Sequence, residues 1–376
     1  MSELDIKVVK LNIKPHPNAE KLEVGLIGGD QGYRVVVGKG QFKNEDLAIF
    51  IVEDAVVPEN IQNFLTNTQK IEIKNGRIRT ARIRGHISEG LCLTPSQWLP
   101  EELIFEGSDV KEYLKIEKYE PPPPRHQGLP GSKGINHHYQ NEHFKRYTSI
   151  ENYKKYSTII KDGEEVVITK KFHGSNHRAG VVSRPENSLT RFEKIKKFFG
   201  LKVNSVEYLV GSHNTIRQKS KRAEQVEDVY RKVAEKYDME TILNDLNKQS
   251  NKDVIIFSEI IGAGIQVGYD YAVPDGEHEL RVFDIMIDKA WLDWDSVIDI
   301  CQRYNLPVVE AVYRGPWDIS LTKHAEAIDE YNGKKYVREG VVIKPVIERK
   351  DPRIGRVILK YISETFRLDK KNTAWH

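Results

Sequence analysis

Val167-Ile168-Thr169-Lys170-Lys171-Phe172-His173-Gly174-Ser175-Asn176 is the stretch on which the fold of this chain turns. Its β-branched run reads as a strand that delivers Lys171 to its end. Gly174 and the small polar residues after it read as the turn that follows. A lysine so placed can be a nucleophile if it sheds its proton. At a free pKa near 10.4 only about 1 in 2,500 is neutral at pH 7, and lowering that pKa by about 3 units takes roughly 4 kcal/mol. Burial, a metal or neighbouring cations supply such an effect, and Lys170, Lys344 and Lys360 are the candidate cations. On its own, Lys-x-His-Gly reads as a surface lysine before a turn.

Working outward, four downstream patches have similar character: Phe257-Ser258-Glu259-Ile260-Ile261-Gly262, Arg281-Val282-Phe283-Asp284-Ile285, Glu339-Gly340-Val341-Val342-Ile343-Lys344-Pro345 and Val357-Ile358-Leu359-Lys360-Tyr361. Each is an apolar strand carrying a charged or aromatic residue. Helical spacing is read over Val226–Asn247 and Trp294–Tyr304. Leu189–Phe199 is basic and amphipathic, a pattern that ordinarily packs one face on a core.

The first third of the chain has a different texture. Ile6–Val9, Glu23–Ile27, Tyr33–Val37, Leu47–Ile51 and Arg77–Arg79 read as short strands, with turns at Gly28-Gly29-Asp30 and Gly38-Lys39-Gly40. Five such strands in about 100 residues fit a small β-barrel of the OB type. Tyr119-Glu120-Pro121-Pro122-Pro123-Pro124-Arg125 cannot continue a helix or a central strand. The expected division is therefore a barrel over 1–118, a Pro/Gly-rich linker over 119–138 and an α/β-mixed domain over 139–376.

Bulk composition narrows the class. The 376 residues are 39% hydrophobic and 30% charged, as in a soluble globular chain, and allow two or three domains. No apolar run approaches the roughly 18 residues that cross a bilayer, and the acidic start Met1-Ser2-Glu3-Leu4-Asp5 lacks an apolar signal core. Cys92 and Cys301 lie far apart, which suits a reducing cytoplasm and argues against a Cys-based zinc site. No Gly-x-x-x-x-Gly-Lys-Ser/Thr is present, so a P-loop is excluded. A net charge of +3 is too small to imply a polyanion partner, whereas Arg77, Arg79, Arg82 and Arg84 form a local basic stretch that could follow a phosphate backbone or be a solvated strand face. His126, His137, His138 and His143 are too loosely spaced for a metal site.

In order and spacing the five patches resemble those of the covalent nucleotidyltransferase superfamily, the RNA ligases, DNA ligases and capping enzymes. Lys171-Phe172-His173-Gly174-Ser175-Asn176 is closest to the RNA ligase form of motif I. His16–Val24, Asp54–Pro58 and Arg84–Leu91 in turn resemble segments of OB-type tRNA-binding modules. The resemblance implies an α+β adenylyltransferase (ATP-grasp-like nucleotidyltransferase) domain with antiparallel sheets, preceded by an OB-fold domain. The family expected is the ATP-dependent RNA ligases with an N-terminal OB domain.

By that resemblance Lys171 takes AMP from ATP, with His173, Gly174 and Asn176 beside the nucleotide. Glu259 approaches ribose or metal, Phe283 stacks on the base, and Glu339 serves a Mg²⁺ or Mn²⁺ ion. Lys344 and Lys360 contact phosphate, and Ser212-His213 stands where motif Ia has an arginine after serine. Two departures stand out: Lys170 replaces a common glutamate, and Ile362 replaces the second lysine of motif V. The expected partners are RNA or RNA/DNA duplex ends bound by a monomer. A GTP-using capping-type enzyme and a non-catalytic RNA-binding relative remain open alternatives.

Overall fold

The computed structural model describes residues 4–69, 71, 73–119, 140–186, 191–199, 205–217 and 228–369. The stretch expected as a linker, 119–138, lies outside them apart from Tyr119. The chain divides into two compact units. The first holds the described residues up to 119 together with Ile150–Thr158 and 364–369, and the second holds the remainder.

Four of the five strands expected in the first unit form there. β1 (Lys7–Lys10), β2 (Asn12–Pro15), β3 (Leu22–Ile27), β4 (Tyr33–Gly38) and β5 (Leu47–Val52) are followed by β6 (Ala55–Val56) and helix α1 (Glu59–Asn67). The fifth expected strand, Arg77–Arg79, is reduced to an isolated antiparallel bridge of Arg77 with Val56, flanked by backbone hydrogen bonds between Ile78 and both Ala55 and Asp54. Asn75 and Gly76, just before it, both adopt positive φ, so the segment cannot extend backward as a strand. The chain resumes as the hairpin β7 (Ala81–Ile83) and β8 (His86–Ser88), then β9 (Gly90–Leu93) and β10 (Glu117–Lys118). β1-β5-β9 and β2-β3-β4 are antiparallel three-stranded sheets. Alternation along β5 sends Ile49 and Ile51 into one core with Ile6, Ile61, Leu65 and Leu93, while Ala48 and Phe50 join Leu11, Val35 and Val37 in another. Each fully buried Leu or Ile contributes about 1.5–3 kcal/mol.

Two segments that the sequence reading assigns to the second domain belong to this first unit: Ile150–Thr158, with the short strand β11 (Glu151–Asn152), and helix α6 (Glu364–Arg367). The reason is chemical. Glu89 is fully buried, and its carboxylate accepts from Lys154 Nζ at 2.7 and 2.8 Å, from Arg367 Nη1 at 2.8 Å and from the Arg34 amide at 3.1 Å. Arg367 also pairs with Glu53 at 3.0 Å.

The second unit is built on two antiparallel sheets. In one, β24 (Leu359–Ile362), β21 (Gly340–Pro345), β12 (Glu165–Lys171) and β18 (Ala311–Pro316) lie side by side in that order. In the other, β14 (Val206–Ser212), β13 (Ser175–Ser183), β15 (Val254–Gly262), β16 (His278–Ile287) and β17 (Ala290–Trp291) do. β12 and β13 are separated only by the Phe172-His173-Gly174 turn, so the opening stretch of sequence joins the two sheets. The hairpin β19 (Ile328–Tyr331) and β20 (Lys334–Val337) precedes β21, and the short pair β22 (Lys350–Asp351) and β23 (Gly355–Arg356) follows it.

The helix expected over Val226–Asn247 is two helices, α3 (Val229–Lys236) and α4 (Met239–Ser250), because Asp238 sits in the left-handed region between them; Val226 lies outside the described residues. Met239, Ile242, Leu243 and Leu246 form the buried stripe by which α4 packs on β13 and β15. Helix α5 (Trp294–Arg303) matches its expectation closely. Helix α2 (Arg191–Phe198) does not bury its apolar residues: Phe192, Ile195, Phe198 and Phe199 are 66%, 53%, 86% and 70% exposed, so this amphipathic stretch is not a core helix. No helix of the described residues is long and apolar enough to cross a membrane.

Candidate active site

Register brings the expected residues of the first sheet together. Lys171 pairs with Gly340, Thr169 with Val342, and Val342 with Lys360, so alternation places Lys171, Lys360 and Lys344 on one face. Gly340 is needed for that approach, since a Cβ there would lie 2.2 Å from the Tyr361 carbonyl. Glu339, one residue before β21, accepts a hydrogen bond from Lys171 Nζ at 2.7 Å. His173 Nδ1 is 3.9 Å from the other oxygen of Glu339.

The turn between the sheets is held from several sides. The Tyr271 hydroxyl accepts from the His173 amide at 2.7 Å, and Gln266 donates to the Gly174 carbonyl at 2.8 Å. Tyr269 meets the His173 ring edge-on at 5.2 Å. A Cβ on Gly174 would stand 2.3 Å from the Ile260 carbonyl and 2.8 Å from Glu259 Cγ, so only glycine fits. Across the second sheet, Asn176 pairs with Glu259 and Glu259 with Arg281. Phe283 lies two residues beyond Arg281 on that same face, partly exposed, with its ring against Tyr147 at 4.8 Å. Tyr269, Tyr271 and Gln266 were missed from the sequence; the Tyr-Asp-Tyr run at 269–271 is the signal that could have found them.

The electrostatics differ from the expectation of a cation-depressed lysine. Burial acts to lower the pKa of Lys171, but the charges of Glu339 and Glu259 outweigh it and hold the ammonium above its ordinary value. Burial pushes Glu259 up to about 8 against the pull of Lys171, with Glu339 adding to the rise. Burial likewise lowers His173, despite Glu339 beside it.

Two of the three expected neighbouring cations, Lys344 and Lys170, are engaged elsewhere. Lys344 is buried, donates to Asp284 at 2.5 Å and stands over the Trp294 ring at 5.1 Å. Asp284 also accepts from both Arg356 amino groups at 3.0 Å and bonds the Tyr147 hydroxyl. Lys344 is therefore committed to a buried ion network instead of lying open to a phosphate. Lys170 turns to the opposite sheet face, where Glu310 and Asp329 hold it. Lys360 is half-buried on the Lys171 face.

Ser212 closes a local turn, with its amide on the Thr215 carbonyl at 2.9 Å and its carbonyl accepting from Arg178 Nε at 3.0 Å. Burial above all, with Arg178 adding to it, lowers the pKa of His213 below the ordinary imidazole value. In the first unit, Arg77 is buried against Asp54 at 2.6 Å and over the Tyr119 ring at 3.8 Å, which removes it from the expected basic surface. Arg79 is partly buried, and only Arg82 and Arg84, on the β7–β8 hairpin, are exposed.

Two buried oxygens bear on a divalent ion. Glu339 Oε2 and Asn176 Oδ1 are enclosed without a hydrogen-bond partner, and a buried acceptor left so is costly. Hard oxygens of this kind fit Mg²⁺ or Mn²⁺. No cluster of three or more His, Cys, Asp or Glu among the described residues is arranged to hold a metal, so an ion here would take its remaining ligands from water or a bound phosphate.

Fold and site together define a nucleotidyltransferase-type catalytic unit with a small β-domain before it. Comparison with known proteins names the family. An RNA ligase family model matches residues 164–362, more than half of the chain, and an OB-fold domain model matches residues 5–95. The chain belongs to the RNA ligase family.

Among solved structures, Naegleria gruberi RNA ligase with PPi is 21% identical and superposes with a TM-score of 0.70, covering 97% of this chain and 98% of that one. A mutant of the same ligase with ATP and Mn gives 21% identity and a TM-score of 0.71 over 98% and 99%. Another with AMP and Mn gives 21% and 0.71 over 96% and 97%. At this identity the likeness shows the fold, α+β with antiparallel sheets and an N-terminal OB domain. No curated protein gave a match.

Proposed function

We propose that this RNA ligase is ATP-dependent and joins 3′-OH to 5′-phosphate ends through lysyl-AMP and polynucleotide-adenylate intermediates, sealing RNA-terminated nicks in duplexes. The observation that carries the reading is Lys171, at a strand end within the family-matched region, 2.7 Å from Glu339 and near half-buried Glu259. The fold-level likeness to a ligase studied with ATP, AMP and Mn supports the choice of nucleotide and ion.

In the first step the Lys171 Nζ lone pair attacks the ATP α-phosphorus. An N–P bond forms, the α–β bridging P–O bond breaks and pyrophosphate leaves. In the second, a 5′-phosphate oxygen displaces Lys171 and takes the AMP. Lysine is a competent leaving group here because protonation of the phosphoramide nitrogen regenerates a neutral amine. In the third, a 3′-OH attacks the 5′-phosphorus and AMP departs.

The carboxylates explain how a high-pKa lysine is set up for this. Glu339 aligns the ammonium in the resting site, and His173, kept neutral, adds no competing charge. Glu339 and Asn176 would hold a divalent ion, which neutralises phosphate charge and favours the unprotonated lysine. Phe283 offers a base-stacking face, which accepts any purine and so does not by itself select ATP. Lys360 supplies positive charge on the Lys171 face for the α-phosphate. Arg82 and Arg84 of the OB domain would meet the phosphate backbone. The reading also makes the protein a cytoplasmic monomer.

The deciding experiment is incubation with radiolabelled ATP or GTP and Mg²⁺ or Mn²⁺, followed by a denaturing gel and peptide mapping. Label from ATP on Lys171 is expected. Label from GTP alone would make this a capping-type enzyme. The absence of label from both, with bound unlabelled AMP excluded by mass, would leave an RNA-binding relative.

A further inference from the structure

Lys170 and Arg338 are the immediate chain neighbours of Lys171 and Glu339, and one side chain holds both. Asp329, on β19, lies 3.0 Å from Lys170 Nζ and accepts from Arg338 Nε at 2.9 Å and Nη2 at 2.5 Å. Lys170 also meets the Tyr331 hydroxyl at 3.2 Å and pairs with Glu310. Arg338 is fixed further by its Nη1 on the His324 carbonyl at 2.6 Å and its amide on the Ala327 carbonyl at 2.9 Å. Asp329 and Arg338 are only 10% and 9% exposed, so they exchange little with solvent charge. Lys170 and Arg338 balance Asp329 and Glu310, leaving the group neutral. Pleating sends Lys170 to the face opposite Lys171, so this group stands behind the site and touches no reacting atom.

We infer that Asp329 is a positioning residue for the nucleophile, a back-brace that ties the residue before Lys171 to the residue before Glu339. The geometry gives it leverage. Lys171 pairs with Gly340 at the end of the β12–β21 ladder; beyond it Glu339 and Lys170 are bonded through their backbones to Ser363 and Glu310, and no ladder bond ties β12 to β21 directly. A brace one residue away on the opposite face supplies the direct tie between the two strand ends. Without it, Lys170 and Arg338 become two near-buried cations with no shared anion, and their repulsion pushes the strand ends apart. Misplacement of a reacting group by about 1 Å costs on the order of 10²-fold in rate. It also accounts for the lysine at position 170: its side chain serves the Asp329 group.

The inference rests on the adenylylation reading, and the test separates the two. Single-turnover labelling of Lys171 by ATP is followed in the wild type, D329N, D329A, R338A and D329A/R338A, with ATP half-saturation and thermal unfolding measured alongside. D329N keeps shape and loses charge. It is expected to fold and to lose roughly 10-fold in maximal rate, with half-saturation held within about 3-fold. D329A and R338A are each expected to lose on the order of 10²-fold, and the double variant no more than either alone, because both break the same brace. A folded D329N with wild-type rate, or losses that multiply in the double variant, would overturn the brace while leaving the ligase reading intact. A wild-type protein that takes no label from ATP would sink the ligase reading and the brace with it.

Discussion

Two buried carboxylates, one in each unit, are treated in opposite ways. Glu89 has every contact it needs: three charged donor hydrogen bonds and a backbone amide, and its partners hold its carboxyl below the ordinary range against the burial that would raise it. Glu339 has Lys171 on one oxygen and no partner on the other, and Glu259 nearby is pushed up to about 8. A fully satisfied ion cluster holds segments together. A half-satisfied one stores unused electrostatic capacity, which a substrate or ion can take up. The difference separates a structural charge from a functional one without reference to where either lies in the sequence.

The sharpest way to break that distinction is to remove charge from the second site. Lys171→Ala should abolish covalent labelling, a loss of about 10⁴-fold or more, while the unfolding midpoint changes little. Glu339→Gln should cost about 10²–10³-fold in the labelling rate with a similarly small stability effect. Large unfolding shifts in either variant would mean that the site is a structural pair like Glu89.

Glu89→Ala should do the reverse. It removes the anion that the buried cations Lys154 and Arg367 share, and loss of one partner from such a cluster costs about 3–5 kcal/mol. Urea unfolding of the full chain would read this directly. A variant that unfolds like the wild type yet fails to label would show that Glu89 belongs to the catalytic machinery.

The same contrast explains what was legible in the sequence. Lys171, Glu259 and Lys360, on strands, and Glu339, just before one, were singled out because their apolar patches follow one another in an order and spacing that resemble the family's motifs. Their partners were not. Asp329 and Arg338 come from a hairpin with no apolar signature, and Lys154 and Arg367 lie some 210 residues apart, so nothing local announces that they meet on Glu89. Breaks governed by backbone sign were also hidden: Asn75-Gly76 turns the chain just before an expected strand and Asp238 splits an expected helix. Lys344 was assigned to phosphate by the family resemblance alone, yet burial demands a counter-charge, and Asp284 supplies it.

His177 tests satisfaction at a neutral group. It is fully buried, its Nδ1 meets Ser258 Oγ at 2.9 Å, and burial lowers its pKa to about 4 from the usual 6.5. Below pH 6.5 the unfolded chain takes up a proton that the folded one refuses. The stability His177 contributes is therefore complete above about 6.5 and is lost as pH falls toward 4. The loss can reach about 3 kcal/mol, at 1.36 kcal/mol per pKa unit. His177→Asn should flatten the wild-type slope across that window in pH-dependent urea melts. An unchanged slope would mean that the imidazole charges freely in the folded state.

The smallest effect is expected at the arginines of the first unit, where the rule separates neighbours of one type. Arg77 is consumed by Asp54 and Tyr119, whereas Arg82 and Arg84 are exposed on the β7–β8 hairpin. Arg82→Ala and Arg84→Ala should each weaken binding of a nicked RNA duplex a few-fold and lower the dependence of log K on log salt by about one contact, without shifting the unfolding midpoint. Arg77→Ala should leave the salt slope alone and lower stability, since it uncovers Asp54 and removes a buried stacked guanidinium. If Arg77→Ala instead reduced the salt slope while Arg82→Ala did not, exposure would be the wrong guide to which charges on this domain meet nucleic acid, and the basic face would have to be sought elsewhere on the chain.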